Sequence, residues 1–336
     1  MRHKLVAYAV FMLGLFINTI NAHAAPPSVA VDIAPLHSLV SQVMEGVSQP
    51  ELLIPAEASP HHYTLRPSEA KALADAELVF WMGESYTPWL EKALNNVAGE
   101  AQKVEVLALE GTIAHGYREG ATFESHDHGE EEGRDEKDHG ESEKHRKDEH
   151  HDKHEKEEHA DHHDHEGSDP HAWLDPENAK IWIKHISDIL SKRDPKNASV
   201  YNRNATKVTA SLDALIQSTA TKIDALGKPK FIVFHDAYQY FEKRFDISAT
   251  GSIALGHAQD PSPARIKEIR DTVKKLGVTC VFTEPQYNPG IVKNVFEGTT
   301  VLTIGVMDPL GASLLTGSDH YQKLIKGMVN SLSQCQ

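Results

Sequence analysis

Histidine and carboxylate are the residue types in this chain that point to chemistry. The run from His115 to Asp169 holds 12 of the 22 histidines, among them His126, His128, His150, His151, His154, His159, His162, His163 and His165. Between Glu124 and Glu166 stand 19 Asp/Glu and 7 Lys/Arg, so −12 of the chain's formal charge of −15 falls there and only −3 outside. Imidazole is the commonest ligand for borderline metals such as Zn²⁺, and nearby carboxylates raise the local cation concentration. Adjacent pairs such as His150–His151 and His162–His163 favour weak secondary Zn(II) contacts; the alternative is a solvated, self-repelling linker. No apolar periodicity survives over about 115–168, which reads as a disordered insert. Four residues outside the insert, His61, His171, His235 and Asp308, stand where loops are expected to leave strands. Three imidazoles and a carboxylate make a closed or nearly closed tetrahedral set, suited to Zn²⁺, with Co²⁺, Ni²⁺ or Cu²⁺ able to compete by raw affinity, whereas a Mn²⁺ site would be richer in oxygen.

The elements that must position them read as α/β. At 336 residues the chain has room for two lobes. Apolar runs at 28–34, 51–54, 77–82 and 104–109 predict strands, and helical patterns from His37, Pro67 and Tyr86 alternate with them. That order implies a parallel sheet covered by helices. His61 then lies in the Pro- and Ser-rich loop after the second strand. Asp175-Pro176-Glu177 is a helix start, with an acid at the cap and Pro in the first turn. A helical pattern from Ala198 to Leu226 follows, with Gly227 and Pro229 as its stop. At 1.5 Å per residue it spans about 40 Å, the width of a domain, and reads as a rigid linker. A second α/β series has strands at 231–234, 278–283 and 301–306, an extended stretch at 247–255, and helices at 237–245, 263–276, 290–298 and 320–332. His235 directly follows one strand and Asp308 another. The expected division is an N-terminal lobe over 25–197, a linker helix over 198–227 and a C-terminal lobe over 228–336. Two parallel-sheet lobes on one helix create a cleft, and open α/β sheets bind ligands at the carboxyl ends of their strands.

Residues 1–24 read as a signal peptide: Arg2 and Lys4, an apolar run from Leu5 to Ile20, and an Ala22-His23-Ala24 cleavage site. The apolar run is shorter than the roughly 20 residues a bilayer requires. The expectation is an exported, soluble chain. In an oxidising compartment Cys280 and Cys335 read as a disulfide, the alternative being two buried thiols.

The blocks SPHHYTLRPSEAKAL, ADAELVFWMGESYTPWLEKAL, DPHAWLDPENA, FIVFHDAYQYFEKRF, DPSPARIKEI, CVFTEPQYNP and MDPLG occur in order over nearly the whole mature chain. Together they closely resemble the metal-binding solute-binding proteins of ABC importers, in their zinc branch. The resemblance implies two lobes joined by a long helix, with one tightly held Zn(II) between them. It implies ligands at His61, His171 and His235, with Asp308 or a water completing the shell. A His-rich acidic insert before the second ligand is typical of the zinc branch, whereas the manganese branch has a carboxylate where this chain has His235. Some relatives carry Glu just before the first ligand; Pro60 stands there here, and His62 follows. His62 is expected to be exposed or to support the site, the alternative being a fourth ligand; His37 and His257 are expected to be structural, rim or supporting residues.

The function implied is capture of periplasmic Zn(II) by a monomer and its delivery to a membrane permease driven by a cytoplasmic ATPase, with no catalysis and no nucleic-acid partner. The insert would be a low-affinity collector near the cleft mouth or a sensor of zinc abundance, the alternative being a passive tether. Neutral imidazoles are required, so affinity is expected to fall as the pH drops through about 6.5. Two other classes stand beside this. One is a protein of the same family that binds manganese or another divalent metal, or serves as an adhesin. The other is an exported zinc hydrolase with Glu284 as general base, although no HExxH motif is present.

Overall fold

The computed structural model describes residues 25–118, 123, 167–254, 261–299 and 301–335. The expected signal peptide, His257 and the insert histidines lie outside them. Two four-stranded parallel sheets form the frame. The first contains β1 (Val29–Val31), β2 (Glu51–Leu52), β3 (Leu78–Trp81) and β4 (Gln102–Glu105), in the order β2-β1-β3-β4. Its helices are α1 (Ala34–Val43), α2 (Pro67–Asp75) and α3 (Pro88–Val97). Past the insert come α4 (Pro176–Arg193) and the 29-residue α5 (Ala198–Leu226). The second sheet contains β5 (Phe231–His235), β6 (Gly251–Ala254), β7 (Cys280–Thr283) and β8 (Thr303–Val306), in the order β6-β5-β7-β8. With it go α6 (Gln239–Arg244), α7 (Pro263–Leu276), α8 (Pro289–Phe296) and α9 (His320–Leu332).

Proline sets many of the boundaries. It stands in the first turn of α1, α2, α3, α4, α7 and α8, where its missing N–H costs nothing. Several strands are shorter than the apolar runs that encode them. β1 covers only Val29–Val31; Asp32 N still donates to Phe80 O at 3.3 Å, and the Ile33 N–H beyond it is taken by the Asp32 carboxylate at 2.7 Å. The run at 104–109 gives only the end of β4 and then a 3₁₀ turn over Val106–Ala108. Helix α6 begins at Gln239, two residues later than the pattern, because Ala237 N closes a tight turn on His235 O at 2.9 Å. The stretch expected to be extended from 247 pairs only from Gly251, after Asp246 turns the chain with φ of 51°.

Alternation along β5 and β7 divides the second sheet between two cores. Ile232, Phe234 and Val281 face α7 and α8 in a small cluster. Phe231, Val233, Cys280 and Phe282 face the other way, into the cluster that holds the first sheet, α4 and α5. The long helix is therefore a wall of a shared core, burying Tyr201, Val208, Leu212, Leu215, Thr219 and Ile223. Helix α9, last in the chain, crosses back to pack on α1 and α5. Behind it Cys335 is bonded to Cys280, with Cα atoms 5.4 Å apart, which ties the end of the chain to β7.

Candidate metal centre

His235 is the last residue of β5, and Glu284 immediately follows β7. These neighbouring strands flank the point where the sheet order reverses, the usual ligand crevice of such folds. His61 sits in a 3₁₀ turn over Pro60–His62, fixed by Trp89, whose indole N–H donates to Pro60 O at 2.8 Å. His171 precedes a second 3₁₀ turn, Ala172–Leu174, that leads to the Asp175 cap of α4.

The structure brings His61, His171 and His235 together, one nitrogen of each lying within 4.8 Å of the others. Two of them have a carboxylate behind the ring. His171 Nδ1 lies 2.7 Å from Asp169 Oδ1, which also accepts the His171 backbone N–H at 3.0 Å. His235 Nδ1 lies 2.8 Å from Glu284 Oε1. A carboxylate on Nδ1 requires the proton there and leaves the lone pair on Nε2, the arrangement typical of metal-bound histidine. The two Nε2 atoms then face each other at 3.3 Å. That is the edge of a tetrahedron with ligand bonds of about 2.0–2.1 Å, the length of a Zn–N bond.

The cavity between the rings is about 10 Å³, on the order of one water-sized sphere. Tyr86, Tyr287, Pro309 and Leu310 supply its apolar walls. A larger groove of about 730 Å³ between α4 and α5 contains none of these histidines, and its Lys180 is paired to Asp213 at 2.6 Å and Glu177 at 3.1 Å. Burial opposes protonation of His235. The adjacent Glu284 carboxylate, with Asp236 and Asp169, nonetheless carries its pKa above the ordinary histidine value. Burial pushes Asp169 up to about 6, although the His171 N–H, Arg118 and Gln239 pull the other way.

Asp308 is not in the group. Its carboxylate accepts the backbone N–H groups of Leu310, Gly311 and Ala312 at 3.0, 2.9 and 2.5 Å and the Gln286 amide at 3.1 Å. The loop it holds is tight: Gly311 has φ of 74°, and a Cβ there would meet His320 Nε2 at 2.7 Å. His62 is exposed, and His37 is buried with its Nε2 3.0 Å from Pro50 O. From the sequence Glu284 is offered only as a base for a hydrolase, and Asp169 only as the end of the histidine-rich run. The available signals were an acid one residue beyond a strand, and an acid two residues before a histidine.

The sequence model of the family described as ZnuA, zinc-uptake complex component A, periplasmic, matches residues 29–335. The High-affinity zinc uptake system protein ZnuA of Brucella abortus is 42% identical over 99% of this chain and 98% of its own length. The protein of the same name from Paracoccus denitrificans is 38% identical, over 94% of this chain and 93% of its own. A crystal structure of ZnuA superposes with a TM-score of 0.69 at 22% identity, covering 92% of this chain and 98% of that one. The laminin-binding protein Lmb of Streptococcus agalactiae, described as an adhesin with metal transporting activity, also gives 0.69, at 20% identity over 92% and 99% of the two chains. At those identities the structures speak for the fold alone. The family model and the closely similar relatives span almost the whole chain, and on that ground the chain belongs to the ZnuA family of periplasmic zinc-uptake components.

Proposed function

We propose that this protein captures Zn(II) in the periplasm on His61, His171 and His235 and delivers it to an ABC-type membrane permease coupled to a cytoplasmic ATPase, acting as a monomer. The observation that carries the proposal is the pair of Nε2 lone pairs held 3.3 Å apart by two carboxylate-backed rings, with His61 as third donor. Two buried lone pairs at that distance repel one another, and a cation between them removes the conflict. Three neutral nitrogens favour Zn²⁺ over Mn²⁺, which takes more oxygen.

For the fourth position, water fits better than the expected Asp308. Binding by Asp308 would require its carboxylate to release donors that hold the 310–312 turn. Gln286 gives its amide hydrogens to Ala56 O and Asp308 Oδ1, both at 3.1 Å, which fixes the amide orientation. Its carbonyl oxygen is buried in the cavity wall with no hydrogen-bond partner, ready to accept from a water. Glu284 is engaged with His235 Nδ1, which makes it a poor general base and favours binding over hydrolysis.

The insert histidines, from His126 to His165, would add weaker sites that raise the zinc concentration near the cleft. A ZnuA deletion mutant lacking its residues 138–173 is described as having zinc bound, in keeping with a tight site outside such an insert. The test is calorimetric titration of the zinc-free mature protein beside a variant lacking 124–166. One tight site in both, with only weaker sites lost, is the expected result. Loss of tight binding with the insert would overturn the assignment and make the protein a His-rich buffer.

A further inference from the structure

The insert does not simply leave one lobe and return to it. Both of its roots are fastened to α6, beside the metal centre. Gly116 and Ser168 pair as an antiparallel bridge, and Asp169 N donates to His115 O at 2.7 Å. Tyr240 lies across both roots: its hydroxyl accepts the His115 N–H at 3.0 Å and donates to Asp169 O at 2.7 Å. Gln239 reaches Gly116 O at 2.9 Å and Asp169 Oδ2 at 3.2 Å.

Arg118 is the strongest of these fastenings. Its guanidinium forks onto two buried carboxylates of the C-terminal half. It donates to both oxygens of Asp236, from Nε at 3.0 Å, and to Glu242 at 2.7 and 3.0 Å. Phe123 covers the fork, with the guanidinium carbon 3.7 Å from its ring centre, and Phe123 N donates to Thr250 O at 3.1 Å. Glu242 in turn accepts the Ala249 N–H at 3.0 Å. Asp236 directly follows His235. One arginine from the start of the insert thus holds the turn that ends β5, while the other root ends in Asp169, which orients His171.

We propose that Arg118 is a positioning residue for the metal centre: through Asp236 it locks His235 to the insert roots and so keeps it in register with His171. The proposal rests on the three-histidine zinc site above. Loss of Arg118 acts on zinc binding in two ways, through charge and through positioning, and the two differ in sign. Loss of a nearby cation, taken alone, tightens the hold on Zn²⁺, because Asp236 and Glu242 are left as unpaired anions. Loss of positioning loosens it, because a misplaced ligand weakens a metal site.

The test uses the mature chain with Arg118→Ala and Arg118→Lys. The readouts are the rate of zinc loss to excess chelator and the visible absorption of the Co(II)-loaded protein. Arg118→Ala is expected to lose zinc about tenfold faster, within the range typical of supporting residues, with a shifted cobalt band. Arg118→Lys keeps the charge but cannot fork, and should fall between that variant and the parent. A rate within twofold of the parent, or slower, in Arg118→Ala overturns the proposal. Should that variant not fold, parental rates and spectrum in Arg118→Lys overturn it instead. His235→Ala is the control. If it retains the tight zinc, the metal site itself is misassigned; if it loses zinc while both Arg118 variants match the parent, only the role of Arg118 falls.

Discussion

The two sheets have one topology and opposite uses for it. In each, the first strand of the series pairs with the second on one side and the third on the other, so β1 corresponds to β5 and β3 to β7. At the end of β1 stands Asp32, fully buried. Its two oxygens accept the N–H groups of Ile33 and Met82, both at 2.7 Å, and close the switch point with internal hydrogen bonds. Burial lifts its pKa to about 7 against those two donors. At the end of β5 stands His235, whose Nδ1 is backed by Glu284 and whose Nε2 faces His171 Nε2 at 3.3 Å. Where the first sheet carries Met82 after β3, the second carries Glu284 after β7, and the acid turns the imidazole outward. The first half brings His61 and His171 to the histidine group from loops, and not from its switch point. Topology offers the crevice twice, and side chains decide which one becomes a site.

Substitutions on either side of this comparison should behave very differently. His235→Ala should weaken Zn(II) binding most, by about 10²–10³-fold in a calorimetric titration, roughly one ligand's share of a four-coordinate site. Glu284→Leu removes the group that sets the His235 tautomer and should cost about 10–100-fold in affinity, with the fold retained by circular dichroism. Acidification is the next lever. The zinc-free protein has a His235 pKa above about 6.5 and an Asp169 pKa of about 6. Protons therefore compete with the metal from above pH 6.5 downward, and affinity should drop about tenfold per pH unit for each proton displaced. The same shift acts on the stability of the zinc-free fold in the opposite sense. Protonated His235 with Glu284 contributes stability at acid pH, and that contribution is lost as the pH rises through the raised pKa. Asp32→Asn should change zinc affinity less than twofold. It should cost about 1–3 kcal/mol of stability in denaturant unfolding, because an amide cannot accept at both positions. A zinc defect in Asp32→Asn as large as that of Glu284→Leu would break the distinction between the two switch points.

The sequence made the frame and three of the central residues legible, for identifiable reasons. Proline at the start of α4, the Gly227 and Pro229 stop after α5 and the abrupt end of FIVF before His235 are local signals, and they located α4, the end of α5 and the β5 terminus. Partners separated along the chain left no such signal. Glu284 lies 49 residues from His235, and only the pairing of β5 with β7 makes them neighbours. Asp308 sat at a strand end like the histidines. Yet its carboxylate turned inward to the backbone N–H groups two to four residues on, a use of Asp that leaves no mark distinct from a ligand's. Helix α9 was readable as a helix, but its crossing to α1 was not, since an apolar face does not name what covers it. The insert was legible as composition alone, while the fastening of its roots depends on Arg118 and Tyr240 meeting α6.

The most direct measurement is anomalous diffraction at the zinc edge from crystals of the zinc-loaded protein lacking 124–166. One strong peak is expected between His61, His171 and His235, at about 2.0–2.1 Å from a nitrogen of each, with a water as fourth ligand. Zinc bound elsewhere, or held by fewer than these three histidines, would contradict this assignment.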